Sequence, residues 1–242
     1  EDYFLKAIQT EPNNTAIQMS LADLYSRQGR LDEAQQSLET LITKNPDASG
    51  LRYVLGEFLL RRGLNDKALT QYEETLKKEP GRHDARDRLY DMYLARQEIA
   101  KAKALTAELE KADPNSNALG YFKGRDAELD GEIEKALSSY LDSLKLVNNF
   151  APLFRRAGII EIQIGKTREG IEHLNQAVGI DPADVPARLA LARDLFVRQE
   201  YSQAIEHLDQ VLRRYPKQLG ANVLRADVAL VQGETDKARK VY

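Results

Sequence analysis

The residues able to carry covalent or metal chemistry are few: the 242-residue chain has three histidines and no cysteine. Without cysteine there is no thiolate nucleophile, no disulfide framework and no cysteine zinc site. His173 and His207 stand 34 apart in near-identical segments, Ile171-Glu172-His173-Leu174 and Ile205-Glu206-His207-Leu208. Two imidazoles fall short of the three or four protein ligands that tetrahedral zinc takes. They read as surface or packing histidines, and no metal is expected; His83 stands apart from both. The chain lacks a GxxxxGK[ST] phosphate loop, a GxGxxG turn, an HExxH pair and a GxSxG elbow. No catalytic residue and no cofactor is therefore assigned, and the chain is expected not to be an enzyme. The chemistry that remains is recognition, by tyrosines and arginines that combine large contact area with directional hydrogen bonds.

Those side chains need elements to hold them, and the elements repeat. Pro12, Pro46, Pro80 and Pro114 lie 34 apart, Asn148 takes the next place, and Pro182 and Pro216 resume the series. Ala34, Ala68, Ala102, Ala136, Gly170, Ala204 and Ala238 form a second series at the same spacing. A third, Gly29, Gly63, Gln97, Gly131, Gly165, Gln199 and Gly233, precedes it by five positions. Proline ends a helical unit because it has no N–H to donate and pushes its predecessor out of the helical region. Glycine marks a turn that needs a positive φ. Stretches of about 12 to 14 residues with helical periodicity lie between, so each unit is a helix, a tight turn and a second helix. The small-residue column is then a close contact that lets paired helices interlock.

In this register the chain resembles the tetratricopeptide repeat (TPR) family, whose unit has a large residue, Leu, Gly/Ala, Tyr, Ala, an aromatic and Pro at fixed offsets. Residues 15–48 show Leu21, Ala22, Tyr25, Ala34, Leu38, Leu41 and Pro46; residues 49–82 show Leu55, Gly56, Leu59, Ala68, Tyr72 and Pro80. Further complete repeats run 83–116, 117–150, 151–184 and 185–218, with partial repeats at 1–14 and 219–242. The resemblance implies an all-α fold, a right-handed α-solenoid of antiparallel helix pairs, as a single array over 1–242. Tyr90, Lys123, Asn148, Glu161 and Arg225 depart from the pattern, and the cheapest accommodation is for such side chains to snorkel to solvent. The apolar Val223, Leu224, Val228, Leu230 and Val231 make a poor polar cap for a solenoid. Further repeats are expected on both sides, the chain being a piece of a longer protein.

Within each first helix, unit positions 4, 7, 8 and 11 share one side of a helical wheel, and positions 2, 5, 6, 9, 12 and 13 lie about 150 degrees away. In the family this second face lines the concave groove where ligands bind. The resemblance thus implies a groove carrying Met19, Asp23, Tyr53, Glu57, Asp87 and Asp91 in the earlier repeats. Tyr121, Phe122, Arg125, Arg155, Arg156, Ile159, Arg193 and Phe196 follow in the later ones. Acids dominate the first set and arginines the second, so a polarised groove is expected, its acidic part taking a basic stretch of ligand and its arginines an acidic stretch. At the places where some family members hold a two-carboxylate clamp stand Met19, Asp23, Val54, Asp84 and Arg88, of which only Arg88 fits. The implied function is a non-catalytic protein-protein interaction scaffold or adaptor holding a partner's peptide or helical segment. The alternative is a substrate-recognition arm of a larger enzyme or of a bacterial cell-envelope or secretion assembly. A net charge of −3 argues against a nucleic-acid partner. No apolar run is long enough for membrane insertion of this segment, and the sequence leaves its compartment open between cytoplasm and bacterial periplasm.

Overall fold

The structure, a computed structural model, describes residues 1–10 and 15–239, without the side chains of residues 8, 9, 15, 16, 18, 19 and 237. Pro12 therefore lies outside the described residues, as does the side chain of Met19. Every described element is an α-helix, and the helices group into two compact units, 1–116 and 117–242. The first holds α1 (Asp2–Thr10), α2 (Thr15–Arg27), α3 (Leu31–Lys44), α4 (Ser49–Arg61), α5 (Asn65–Lys78), α6 (His83–Ala95) and α7 (Ile99–Ala112). The second holds α8 (Leu119–Leu129), α9 (Ile133–Leu144), α10 (Ala151–Gln163), α11 (Thr167–Ile180), α12 (Val185–Val197), α13 (Tyr201–Arg214), α14 (Leu219–Val231) and α15 (Thr235–Arg239). Each repeat is one helical hairpin, α2 on α3, α4 on α5 and onward, and within a unit each second helix also packs on the next first helix.

The hairpin turns share one geometry. Gly29 has φ +75° and Gly63 φ +73°, and Gln97 and Gln199 occupy the same left-handed region at +60° and +63°. In each turn this residue's N–H reaches the carbonyl three back, and the next N–H reaches the carbonyl five back, as in Gly63 N to Leu60 O and Leu64 N to Leu59 O, both 3.0 Å. This is a Schellman closure, and it satisfies carbonyls that a helix C-terminus leaves without partners. A turn of fixed shape sets the angle between the helices of every hairpin.

The small-residue column is buried from Ala34 to Ala238, its alanines at 0–1% exposure. At Gly170 the approach leaves no room for a side chain: a β-carbon there would sit 2.6 Å from the carbonyl oxygen of Gly158 on the facing helix. A second pair of positions explains Tyr90. In two hairpins a glycine faces a buried tyrosine, and a β-carbon on Gly56 would lie 2.7 Å from the Tyr72 ring; Gly124 meets Tyr140 likewise. In 83–116 the sizes exchange, with Tyr90 at the glycine's position and Thr106 at the tyrosine's, both buried. Tyr90 therefore does not snorkel; a smaller opposite residue makes its room, so density is kept. Glu161 also stays inside, 3% exposed, its Oε2 2.6 Å from His173 Nδ1 on the facing helix. Lys123 is exposed, and Arg225 is half-buried beside Asp209 at 3.4 Å.

The proline turns have their own clasp. Arg86 Nη2 donates to Pro80 O at 2.7 Å, Arg188 Nε to Pro182 O at 2.7 Å, and Asn222 Nδ2 to Pro216 O at 3.0 Å. A long donor six residues after the proline thus fastens each turn to the helix that follows. Gly120 and Phe154 stand at that position in the two repeats between and cannot donate. There α9 stops at Leu144 and Phe150 turns inward onto Tyr121, ring centroids 4.9 Å apart.

Candidate functional site

In the unit 1–116 the recognition residues gather where α4, α5 and α6 meet. Glu57 on α4 accepts from Tyr72 Oη of α5 at 2.7 Å and from Arg88 of α6 by both Nε (2.7 Å) and Nη2 (3.1 Å). One carboxylate therefore joins the two helices of its own repeat to the next repeat. The two-pronged arginine contact fixes orientation as well as distance. Tyr53 lies 5.7 Å from the Tyr72 ring, with the Arg82 guanidinium 4.7 Å over its face. Burial, with Glu57 and Asp84 nearby, pushes the Tyr53 hydroxyl up to about 12. Burial raises Tyr72 further, helped by its hydrogen bond to Glu57. Burial alone would lower Arg88, but Glu57 outweighs it and the guanidinium is held more firmly protonated than usual.

The unit 117–242 builds the same latch with its carboxylate one turn later. Glu128 of α8 accepts from Tyr140 Oη of α9 and from Arg156 Nη1 of α10 at 3.1 and 3.3 Å. Arg156 Nε also reaches Tyr121 Oη at 3.4 Å. Tyr121 packs against Phe122, Tyr140 and Phe150, and the Arg125 guanidinium lies 5.9 Å from its ring. Burial raises the Tyr140 hydroxyl, while burial of Arg156 is outweighed by the surrounding tyrosines and Glu128. Arg155 turns the other way, its Nη1 2.8 Å from the buried Asp184, whose other oxygen caps α12 by accepting from Ala187 N.

Beyond Arg156 the first helices form a row, α10 touching α12 and α12 touching α14. This row keeps large apolar groups in solvent: Val197 is 77% exposed, Val231 53% and Leu230 46%. Phe196 and Ile159 are half-buried beside them, and Arg193 is exposed, with no carboxylate paired to it among the described residues. At the position of Val197 and Val231 the earlier repeats carry Arg27, Arg61, Ala95, Leu129 and Gln163, of which Arg27 and Arg61 are exposed cations.

A tetratricopeptide-repeat model matches residues 19–86 and 189–242, together half of the chain. The chain belongs to the tetratricopeptide repeat family. Part of this TPR array is 27% identical, over 105 residues, to the TPR repeat-containing protein YpiA of Bacillus subtilis (strain 168), covering 43% of the array and 25% of that protein. Among solved structures, a chain of the APC/C hetero-tetramer Cut9-Hcn1 aligns with 93% of the array and 45% of its own length, at TM-score 0.65 and 17% identity. Pseudomonas aeruginosa pilF aligns with 81% of the array and 89% of its own length, at TM-score 0.56 and 19% identity. The chain thus spans a quarter of YpiA and less than half of the Cut9-Hcn1 chain, and the structural likenesses concern the TPR solenoid fold.

The TPR array distributes the sequence-derived site residues unevenly. Tyr121, Phe122 and Arg125 are 0–2% exposed, and Asp87 is 8% exposed. They lie within the packing of their units rather than on an open face, Tyr121 being covered by Phe150 and Tyr140. Glu57, Arg155 and Arg156 are engaged in the ion pairs above, so of the four arginines only Arg193 faces solvent. Asp23 is exposed and pairs with Arg27 at 2.7 Å across one helical turn, a contact worth a few tenths of a kcal/mol. Asp91 is exposed and Tyr53 half-buried. The wheel missed that a carboxylate, a tyrosine and an arginine fixed 15 and 31 positions apart, as in Glu57, Tyr72 and Arg88, form one internal cluster. Among the described residues no three His, Asp or Glu side chains gather as metal ligands, and no helix is long and apolar enough to cross a membrane.

Proposed function

We propose that this TPR array is a protein-interaction scaffold that holds a segment of another protein along its first-helix row. The observation that carries this reading is the row α10–α12–α14, where Val197 remains in solvent on the helix that also exposes Arg193. Apolar side chains on a continuous helical face favour an apolar counterpart by about 25 cal/mol per Å² removed from water. Phe196 and Ile159 extend that surface. Arg193 supplies a cation for an acidic group on the same segment, which fixes register more than affinity. The ligand is an amphipathic helix or an extended strand whose apolar side lies on the row. In 1–116 the exposed carboxylates Asp23 and Asp91, with the edge of Tyr53, give the corresponding surface an acidic character suited to a basic stretch.

A photo-crosslinking residue placed at Val197 tests this in the organism that makes the protein, with Gln176 on α11, a solvent-facing second-helix position, as control. A discrete protein adduct from position 197 and none from 176 is the expected result. Equal labelling from both positions, or none from 197, would sink the reading.

A further inference from the structure

The turn joining α13 to α14 differs from the other described proline turns. The residue before the proline is Asn45, Glu79, Asp113 and Asp181 in four of them, but Tyr215 here. In two of them that side chain holds the turn's backbone, Asp113 accepting from Asn115 N at 3.2 Å and Asp181 from Ala183 N at 2.9 Å, while Asn45 Nδ2 donates to Leu41 O at 3.0 Å and Glu79 accepts from Ser49 Oγ at 2.5 Å. From Gln210 to Ala226 the sequence holds Arg213, Arg214, Lys217 and Arg225 and no acid. Arg225 pairs with Asp209. Arg213, Arg214 and Lys217 are exposed, and among the described residues no carboxylate pairs with them.

Cations in a last helical turn have an ordinary use, since they face the negative end of the helix dipole. Lys77 and Lys78 of α5 are so placed, but each has a carboxylate, Glu74 at 2.6 Å and Asp47 at 2.7 Å. At the α13–α14 corner those counterions are missing and an apolar recess takes their place. Val185, Tyr215, Pro216 and the stems of Arg214 and Lys217 line a shallow hollow of about 650 Å³. Tyr215 is 43% exposed, and Leu219 beside it 75%. A second hollow of about 110 Å³ adjoins it, walled by Arg188 and Val211. The exposed Asp181 near Arg188 already holds its own turn. Large apolar surface ringed by uncompensated cations is a poor solution for a turn and a good one for an interface anchor.

We propose that the α13–α14 corner is a second docking site, for an acidic linear segment of a partner protein. A large apolar side chain of that segment seats against Tyr215 and Val185, and flanking carboxylates meet Arg213, Arg214 and Lys217. The site is separate from the first-helix row and does not depend on it. Its apolar floor gives grip and its cations give selection against neutral and basic segments.

The test is selection of short random peptides displayed on phage against the whole chain at low salt. Each winner is then measured on Tyr215→Asp, Arg214→Glu and Val197→Asp variants whose thermal unfolding matches the parent. Aspartate is what stands at the equivalent positions 113 and 181, so Tyr215→Asp suits the turn, and Arg214→Glu alters an exposed side chain should the first variant fold poorly. The expected winners carry an aromatic or large aliphatic residue flanked by acids. They lose about tenfold or more in affinity on either corner variant, weaken as salt rises toward about 0.3 M, and are indifferent to Val197→Asp. No enrichment, winners without acids, or winners that bind both corner variants at full strength would overturn the proposal. So would winners abolished by Val197→Asp alone, which would place them on the first-helix row.

Discussion

Residues 49–156 and residues 185–231 treat the same face of the first helices in opposite ways. The earlier stretch closes it with carboxylate latches, Glu57 with Tyr72 and Arg88, and Glu128 with Tyr140 and Arg156. In the later stretch the tyrosine position is Leu208 and the arginine positions are Ala190 and Leu224, so no latch can form. There Val197, Leu230 and Val231 stand in water instead. Charge and aromatic character at repeat-registered positions therefore do not by themselves mark a ligand surface. In this chain they mark where one repeat is fastened to the next, and the open surface begins where they stop.

The contrast is sharpest in stability. Glu128→Ala leaves a mostly buried guanidinium and a fully buried tyrosine hydroxyl without their acceptor, so a loss of about 3 kcal/mol is expected in urea unfolding. Val197→Ser should shift the same curve by less than about 0.5 kcal/mol. Equal losses would erase the distinction between latch and open row. Glu57→Ala should lose less than Glu128→Ala, about 1–2 kcal/mol, because the Arg88 side chain is 43% exposed and water can replace part of its partner.

Alkaline pH separates the two stretches without mutation. Burial and Glu57 hold the Tyr72 proton more tightly in the folded chain than in the unfolded one, where the hydroxyl titrates near 10. Its contribution is complete below that pH and is lost as pH climbs toward the raised folded value. The urea midpoint should fall above about pH 10, and Tyr72→Phe should make the fall shallower. An unchanged slope would remove Tyr72 from the latch's account. The smallest effect concerns the turns: Gln97→Gly and Gln199→Gly relieve a left-handed glutamine and should each stabilise by about 0.5–1 kcal/mol, read as a rise in melting temperature.

The hairpins were legible in the sequence because their markers are local. Proline, small-residue and turn positions each obey a constraint set within a few residues, and even Gln97 kept the turn geometry that its place in the series required. The site was less legible because burial of a face depends on what the next repeat brings. Nothing near Tyr121 announces that Phe150, freed by the early end of α9 and by Asn148 in place of proline, folds onto it. Nor does the wheel distinguish Arg156, bound to Glu128, from Arg193, which faces solvent. Tyr90 and Glu161 were misjudged as solvent-seeking for the same reason, since their accommodation lies in Thr106 and His173 on the facing helices. Tyr215 is legible in the sequence as the one aromatic in a column that otherwise holds Glu11, Asn45, Glu79, Asp113, Val147 and Asp181.

A double-mutant cycle on Glu128 and Arg156, with each changed to Ala singly and together and unfolding followed in urea, tests the latch directly. Side chains that act on each other inside the fold should couple by about 1–3 kcal/mol. Strictly additive single effects would mean that the pair is not a strut, and would return Arg156 to the surface that awaits a ligand.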